Sequence, residues 1–357
     1  MQLATLLFKT FLVGNALVFG FFSAILASLF VLIVIVSTIA AGDTAVTSDH
    51  KLTHVYGKKT ADAKIARISV HGLILGSPTE ETKVLEVFSD MGVTYGYEVK
   101  ELLAEIANDD AVVGVVIDID SPGGTIFGSQ AIADGVAEFR EKTGKPVIAF
   151  VSGMAASGGY WSAASADEIV ADAGTAIGSI GVITGPFKHY QGVISESGGL
   201  LGGGVETTEG ISTTYITAGS SKDIGNPYRE MTDIEKTTLQ QSVDQTYQLF
   251  VQYVSQRRGI EESTITSTLG ALIYGDIQAL DNKLIDKSLS KDGTYDYVAQ
   301  KAGVEEYQVV EPLGEDSFVD ALLGAYTKHI VLSQTVHSCA LASQPLVFAG
   351  SLPAVCQ

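Results

Sequence analysis

The sequence predicts an α/β fold, a mostly parallel sheet covered by helices and preceded by one transmembrane helix, and three observations carry that expectation. Along residues 64–310 short β-branched runs alternate with stretches of helical spacing, the pattern of βαβ units with right-handed connections. The run Val112–Ile119 is almost continuously β-branched, as a strand buried on both faces of a parallel sheet is. Residues 10–42 carry no charge, and the run Val18–Ala41 within them exceeds the ~20 apolar residues that a bilayer crossing takes.

From the N-terminus, residues 1–42 read as a cytoplasmic tip and a membrane anchor. The uncharged run is too short for two crossings and longer than the ~7–15 apolar residues of a cleaved signal peptide, so one retained helix is expected. Lys9 precedes the run and Asp43 and Asp49 follow it. The positive-inside rule then favours a cytoplasmic start, which puts the rest of the chain on the periplasmic or extracellular side. Residues 43–63 are polar, lack periodicity and read as a linker.

The body opens at Lys64–Val70, which alternates like a strand, and Val99–Ala107 follows with helical spacing. After the buried strand Val112–Ile119 come a helix over Gln130–Lys142, a strand at Pro146–Val151, a helix of small residues at Ser157–Ala166 and a strand at Glu168–Ala171. Gly185–Ile224, including Ser197–Gly204, is rich in Gly, Ser and Thr and is expected to be a long functional excursion. Thr232–Arg258 reads as an amphipathic helix with Leu239, Val243, Tyr247, Phe250, Val251 and Val254 on one stripe, closed by Gly259. Residues 311–357 form a tail with a helix-like piece at Phe318–Leu332 and an apolar, proline-containing end.

Composition narrows the function. Lys and Arg total 22 against 41 Asp and Glu, a net charge of -19, which repels phosphate backbones and argues against a nucleic-acid partner. Cys339 and Cys356 are the only cysteines, so neither a zinc cluster nor a disulfide framework organises the fold, and a bond between them would need an oxidising compartment. No metal or other cofactor is implied.

Two motifs carry candidate chemistry. Asp120-Ser-Pro-Gly-Gly-Thr125 closes the strand Val112–Ile119, at the carboxyl end where ligands meet an open parallel sheet. Its paired glycines let backbone amides approach an oxyanion, although Ser-Pro-Gly-Gly is equally a good turn sequence. Met154-Ala-Ala-Ser-Gly-Gly-Tyr160 passes from a strand into a helix, where Ser157 reads either as a nucleophile at a helix N-terminus or as a capping serine. No Gly-x-Ser-x-Gly elbow occurs, so the α/β-hydrolase reading lacks its main signal. A serine hydroxyl needs a base, and His189 and Lys222 are the candidates near enough in the chain. Both also read as surface residues, and a lysine base requires a lowered pKa.

Asp-Ser-Pro-Gly-Gly at 120–124, Ala-Ala-Ser-Gly-Gly-Tyr at 155–160, Ile177–Ile183, Ser221-Lys-Asp with Pro227, Arg229 and Met231-Thr232 following, and Ile273–Ala279 come in the order found in the signal peptide peptidase A family. The chain resembles that family over about Ile65–Asp286. The resemblance implies a ClpP/crotonase-like fold of repeated ββα units, residues 64–310 as the peptidase domain, and a membrane anchor. It places the nucleophile on Ser157, the general base on Lys222 and the oxyanion amides on Gly124 and Gly158. Neutral Lys222 would deprotonate Ser157, which attacks a peptide carbonyl and leaves an acyl-enzyme for water. The implied substrates are unfolded apolar segments such as remnant signal peptides, and the short form with one Ser-Lys set implies a homo-oligomeric ring or dome. The long Gly-rich stretch and Ala271, where the family commonly has arginine, depart from the pattern. Two other readings share features: a crotonase-type acyl-CoA enzyme, which lacks a basic phosphate patch here, and a non-catalytic membrane scaffold.

Overall fold

The computed structural model describes residues 52–79, 92–187, 189, 195–197, 204–206, 216, 218–227, 229–312 and 346–348. The expected anchor over 10–42, both cysteines and the helix-like piece at 318–332 lie outside them. No helix among the described residues is long and apolar enough to cross a membrane.

The sheet is built outward from its most apolar strand. The β-branched run becomes β4, Val112–Thr125, which pairs in parallel with β2, Lys64–Leu75, on one side and with β5, Val147–Ala156, on the other. Beyond β5 come β6, Glu168–Ala171, and then β11, Lys287–Ser288, both parallel. Beyond β2 comes β12, Gln308–Pro312, also parallel. The expected α/β architecture with a mostly parallel sheet is therefore present.

Alternation along the strands divides two cores. Val115, Ile117 and Ile119 of β4 enter the larger one, under α1, Gly96–Ile106, and α2, Ile126–Thr143. Val116 points the other way and packs with Ile65, Ile148 and Phe150 beneath α6, Lys291–Ala302. Each such side chain removed from water contributes ~1.5–3 kcal/mol. Two-sided burial is why the run lacks a polar face. Asp118 is the exception: it is fully buried, with Lys291 Nζ at 3.0 Å, His71 Nε2 at 3.6 Å and Arg67 Nε at 4.0 Å.

The helices follow their local signals. α2 begins four residues before the expected start because Thr125 accepts a hydrogen bond from the Gly128 N–H, and it ends at Gly144 in the left-handed conformation. The amphipathic stretch becomes α4, Asp233–Arg258, opened by a capping box between Thr232 and Glu235.

Two edges differ from the sequence expectation. Residues 43–63 were expected as a linker, but Leu52–Gly57 forms β1 and pairs antiparallel with β12, Leu52 opposite Pro312 and Gly57 opposite Gln308. An edge strand half open to water keeps polar side chains, so its pattern resembles a loop. In the tail, Leu346–Phe348 forms β13, which pairs antiparallel with β4 at Gly123–Thr125. Between them, the excursion at 185–224 holds two short strands, Ser195–Ser197 and Gly204–Glu206, paired antiparallel with each other.

Candidate active site

Asp120–Thr125 is held in place by its own polar side chains. Asp120 Oδ1 accepts the Met154 N–H at 2.9 Å, fastening β4 to β5. Ser121 is buried; its hydroxyl donates to the Gly72 carbonyl at 2.6 Å and accepts the Gly123 N–H at 3.1 Å. The ladder with β5 ends where Ser121 meets Ala155, and β4 then continues between β2, with Leu73 opposite Gly123 and Ile74 opposite Gly124, and the antiparallel segment Leu346–Phe348. Only glycines fit this passage. Gly123 has φ +105°, and a Cβ on Gly124 would stand 2.0 Å from the Ile74 carbonyl oxygen.

As β4 parts from it, β5 runs into Ser157 and then α3, Gly158–Ala163. Ser157 has φ 55° and ψ -117°, a conformation that costs a residue with a side chain ~1–3 kcal/mol. Its N–H donates to the Gly178 carbonyl at 2.8 Å, and its hydroxyl makes only a long 3.4 Å contact to the Gly181 carbonyl. Although Ser157 occupies the N-cap position, it makes no side-chain capping bond, which removes the capping reading left open by the sequence. Gly158 is the first helical residue, so its N–H has no intrahelical acceptor. A Cβ on Gly159 would meet the Ser121 carbonyl oxygen at 2.7 Å, and that close approach seats the start of α3 against β4. Gly124 on one strand and Ser157 and Gly158 at the end of the other thus each follow, within three residues, the point at which β4 and β5 part.

The far end of α3 is tied to α4. Trp161 stacks on Tyr253 with ring centres 5.1 Å apart and packs on Phe250 at 4.8 Å. Arg257 donates to the carbonyls of Ala164, at 2.8 Å, and Ala166, at 2.9 Å, which α3 leaves without helical partners.

Lys222 belongs to the other end of α4. Arg229 forks onto Asp223, Nη2 to Oδ1 at 2.7 Å and Nε to Oδ2 at 2.9 Å, and also onto Glu235, Nη2 to Oε1 at 2.7 Å and Nη1 to Oε2 at 2.9 Å. Glu235 is buried and is the N3 residue of the capping box. The Arg229 guanidinium, then the Asn226 amide, lowers the Asp223 carboxyl to about 2, and Arg229 with the Thr232 N–H holds Glu235 well below the usual carboxylate range. Sequence reasoning treated Asp223 and Arg229 only as companions of the lysine. Their spacing before a Thr-x-x-Glu box was the available sign of a clamp.

Lys222 itself is exposed, next to Ser221 at φ 64°, and it is not among the described hydrogen-bond partners of Ser157. Glu235 and Phe250 are fifteen residues apart on α4, roughly 22 Å of helix axis at 1.5 Å per residue. The segment that carries Lys222 is thus clamped near the N-terminal end of α4, while α3, which follows Ser157, packs on its residues 250–257. His189 lines a cleft of about 440 Å³ with Phe187, Arg229 and Met231, a cleft that Gly124, Ser157 and Gly158 do not line. Among the described residues, no three His, Cys, Asp or Glu side chains gather as metal ligands would.

Comparison with known proteins gives one family model, peptidase family S49, matching residues 139–305. A protease-named protein of Methanocaldococcus jannaschii is 35% identical over 210 residues, 59% of this chain and 63% of that one. Protease 4 of Haemophilus influenzae is 28% identical over 257 residues, 72% of this chain and 38% of that one. A signal-peptide-peptidase-named protein of Enterococcus faecium is 28% identical over 251 residues, 70% of this chain and 67% of that one. The chain spans under two thirds of the first two relatives.

Proposed function

We propose that this chain, which belongs to peptidase family S49 as a signal peptide peptidase A family member, is a serine endopeptidase whose nucleophile is Ser157. The observation that carries the reading is the turn at Ser157. A side-chain-bearing residue is held at φ 55°, its hydroxyl engaged only at 3.4 Å, between a strand end and the free amide of Gly158. Strained strand-to-helix turns of this kind present a nucleophile, and two amides at such a place hold the oxyanion; Gly158 and Gly124 are assigned that role.

Lys222 is assigned the base. It would take the Ser157 proton as the hydroxyl attacks the peptide carbonyl, return it to the leaving amine, and then activate the water that releases the acyl group. The Lys222 segment is clamped at Glu235 while α3 packs on Phe250, and the reading includes self-association, with the lysine of one copy serving the serine of another. The exposed apolar side chains Leu272, Ile273 and Ile277, at 62%, 48% and 74%, offer a surface for that contact. Anchorage through residues 10–42, a catalytic body outside the cytoplasm and apolar, signal-peptide-like substrates complete the proposal.

The test is hydrolysis of an apolar fluorogenic peptide by the full chain, beside Ser157→Ala and Lys222→Ala. Each variant is expected to lose at least ~10³-fold in kcat. Full activity in either would remove that residue from the mechanism.

A further inference from the structure

The pairing of β2 with β4 is not continuous. It shifts between His71, opposite Asp120, and Leu73, opposite Gly123, so that Gly72 faces two residues, Ser121 and Pro122. A bulge of this kind re-aims the chain that follows it. Gly72 sits at φ +69°, and a Cβ there would stand 1.8 Å from the Gly92 carbonyl oxygen, so the bend takes glycine alone. The bend is held from a neighbouring strand, β3, Val93–Tyr95, which pairs in parallel with β2, Leu73 opposite Val93 and Ile74 opposite Thr94. The Thr94 side chain is buried and reaches back along β2. Its hydroxyl accepts the His71 N–H at 2.9 Å and donates to the His71 carbonyl at 2.8 Å, so one group fixes both ends of the residue before the bend. After the bend, the Gly72 carbonyl accepts the Ser121 hydroxyl at 2.6 Å, and that hydroxyl oxygen accepts the Gly123 N–H at 3.1 Å. Two buried hydroxyls therefore join β3 to the glycines of β4 through the bend, and neither takes part in the proposed bond-breaking steps.

We infer that Thr94 is a positioning residue of the proposed oxyanion site, acting through the His71–Gly72 bulge and Ser121 on the direction of the Gly124 N–H. The inference rests on the peptidase reading, because the role assigned to Gly124 is what gives that direction a consequence. Buried hydrogen-bonded groups fix one conformation, since any other leaves a buried main-chain group unpaired. An oxyanion donor works by being aimed beforehand at the place where negative charge develops. Losing one costs ~10²–10³-fold in kcat, and a donor still present but less well aimed costs part of that. The ground state makes no such demand, so KM is spared.

The test compares the full chain with Thr94→Val, which keeps the shape of the side chain without its hydroxyl, and Thr94→Ser, which keeps the hydroxyl. Hydrolysis of an apolar fluorogenic peptide gives kcat and KM, and a peptide boronic acid, which a serine nucleophile binds as a tetrahedral anion, gives an inhibition constant. Thr94→Val is expected to lower kcat by on the order of tenfold at unchanged KM and to weaken the boronic acid by the same factor, and Thr94→Ser to restore both. Ser121→Ala cuts the same path at its next step and is expected to act alike, and it carries the comparison where the valine variant does not fold. Combined with Thr94→Val, it is expected to lose no more than the larger single loss. An unchanged kcat in either variant overturns the inference. So does a lower kcat with an unchanged inhibition constant, the mark of a variant that merely holds fewer folded molecules, and so do losses that multiply in the double variant. A parent chain that neither cleaves the peptide nor binds the boronic acid brings down the peptidase reading, and the inference with it.

Discussion

Ser157 is held at φ 55°, where glycine rests without strain and alanine does not. Ser157→Gly and Ser157→Ala remove the same hydroxyl, yet the glycine variant is expected to be more stable by about 1 kcal/mol in urea unfolding. Equal midpoints would mean that the turn stores no strain. Asp118 makes the opposite kind of prediction. Burial alone would raise its pKa, but His71, Ser152 and Lys291 outweigh burial and hold the carboxyl far below its ordinary 3.8. A folded-state value below the unfolded one contributes stability that is complete above pH ~4 and lost as the pH falls below it. Unfolding free energy measured from pH 6 to pH 2.5 is therefore expected to drop through the lower half of that range. Asp118→Asn should flatten the drop and cost about 1 kcal/mol at neutral pH, because the half-exposed Lys291 loses its anion while Arg67 keeps Glu311 at 2.6 Å. A variant with the parent's acid slope would show that another carboxylate sets it.

Helix α4 joins the two motifs, and it also shows where sequence reading succeeded and stopped. Its extent was legible because Thr232, Glu235 and Gly259 mark both ends and the stripe through Phe250, Val251 and Val254 repeats at helical spacing. Val112–Ile119 was legible for the same kind of reason, since burial on both faces leaves an uninterrupted apolar run. β1 and β13 were not, because each pairs with residues far away in the chain and carries no periodicity of its own at three to six residues. At the site, Ser157 and the glycines were legible as a motif, whereas the strain at Ser157 and the position of Lys222 depend on backbone angles and helix length. Arg229 makes that position testable. Its fork grips Asp223, beside Lys222, and Glu235, inside the helix cap. Arg229→Lys keeps the charge but loses the planar double grip. It is expected to lower kcat by on the order of tenfold with little change in KM and in helical circular dichroism. A variant with undiminished kcat would mean that the clamp does not position the base.

At the scale of the whole molecule, the question is how the proposed serine, followed by a helix that packs on Phe250, meets the proposed lysine, whose segment is clamped at Glu235. Roughly 22 Å of helix axis lies between Glu235, where the Lys222 segment is clamped, and Phe250, on which α3 packs. Two solutions differ in what a mixture of inactive chains does. If each site forms within one chain, Ser157→Ala and Lys222→Ala proteins stay inactive when mixed, because every chain lacks one member. If each site forms between neighbours in a closed ring, an equal mixture assembled from separated subunits contains intact serines facing intact lysines at about a quarter of its interfaces. Recovery of about a quarter of the parent activity is therefore expected. Ile277 is 74% exposed, and Ile277→Glu, with a charge placed on the apolar face it shares with Leu272 and Ile273, is expected to yield smaller species by light scattering and to abolish the recovery. A mixture that stays inactive while its subunits demonstrably exchange would return the dyad to a single chain.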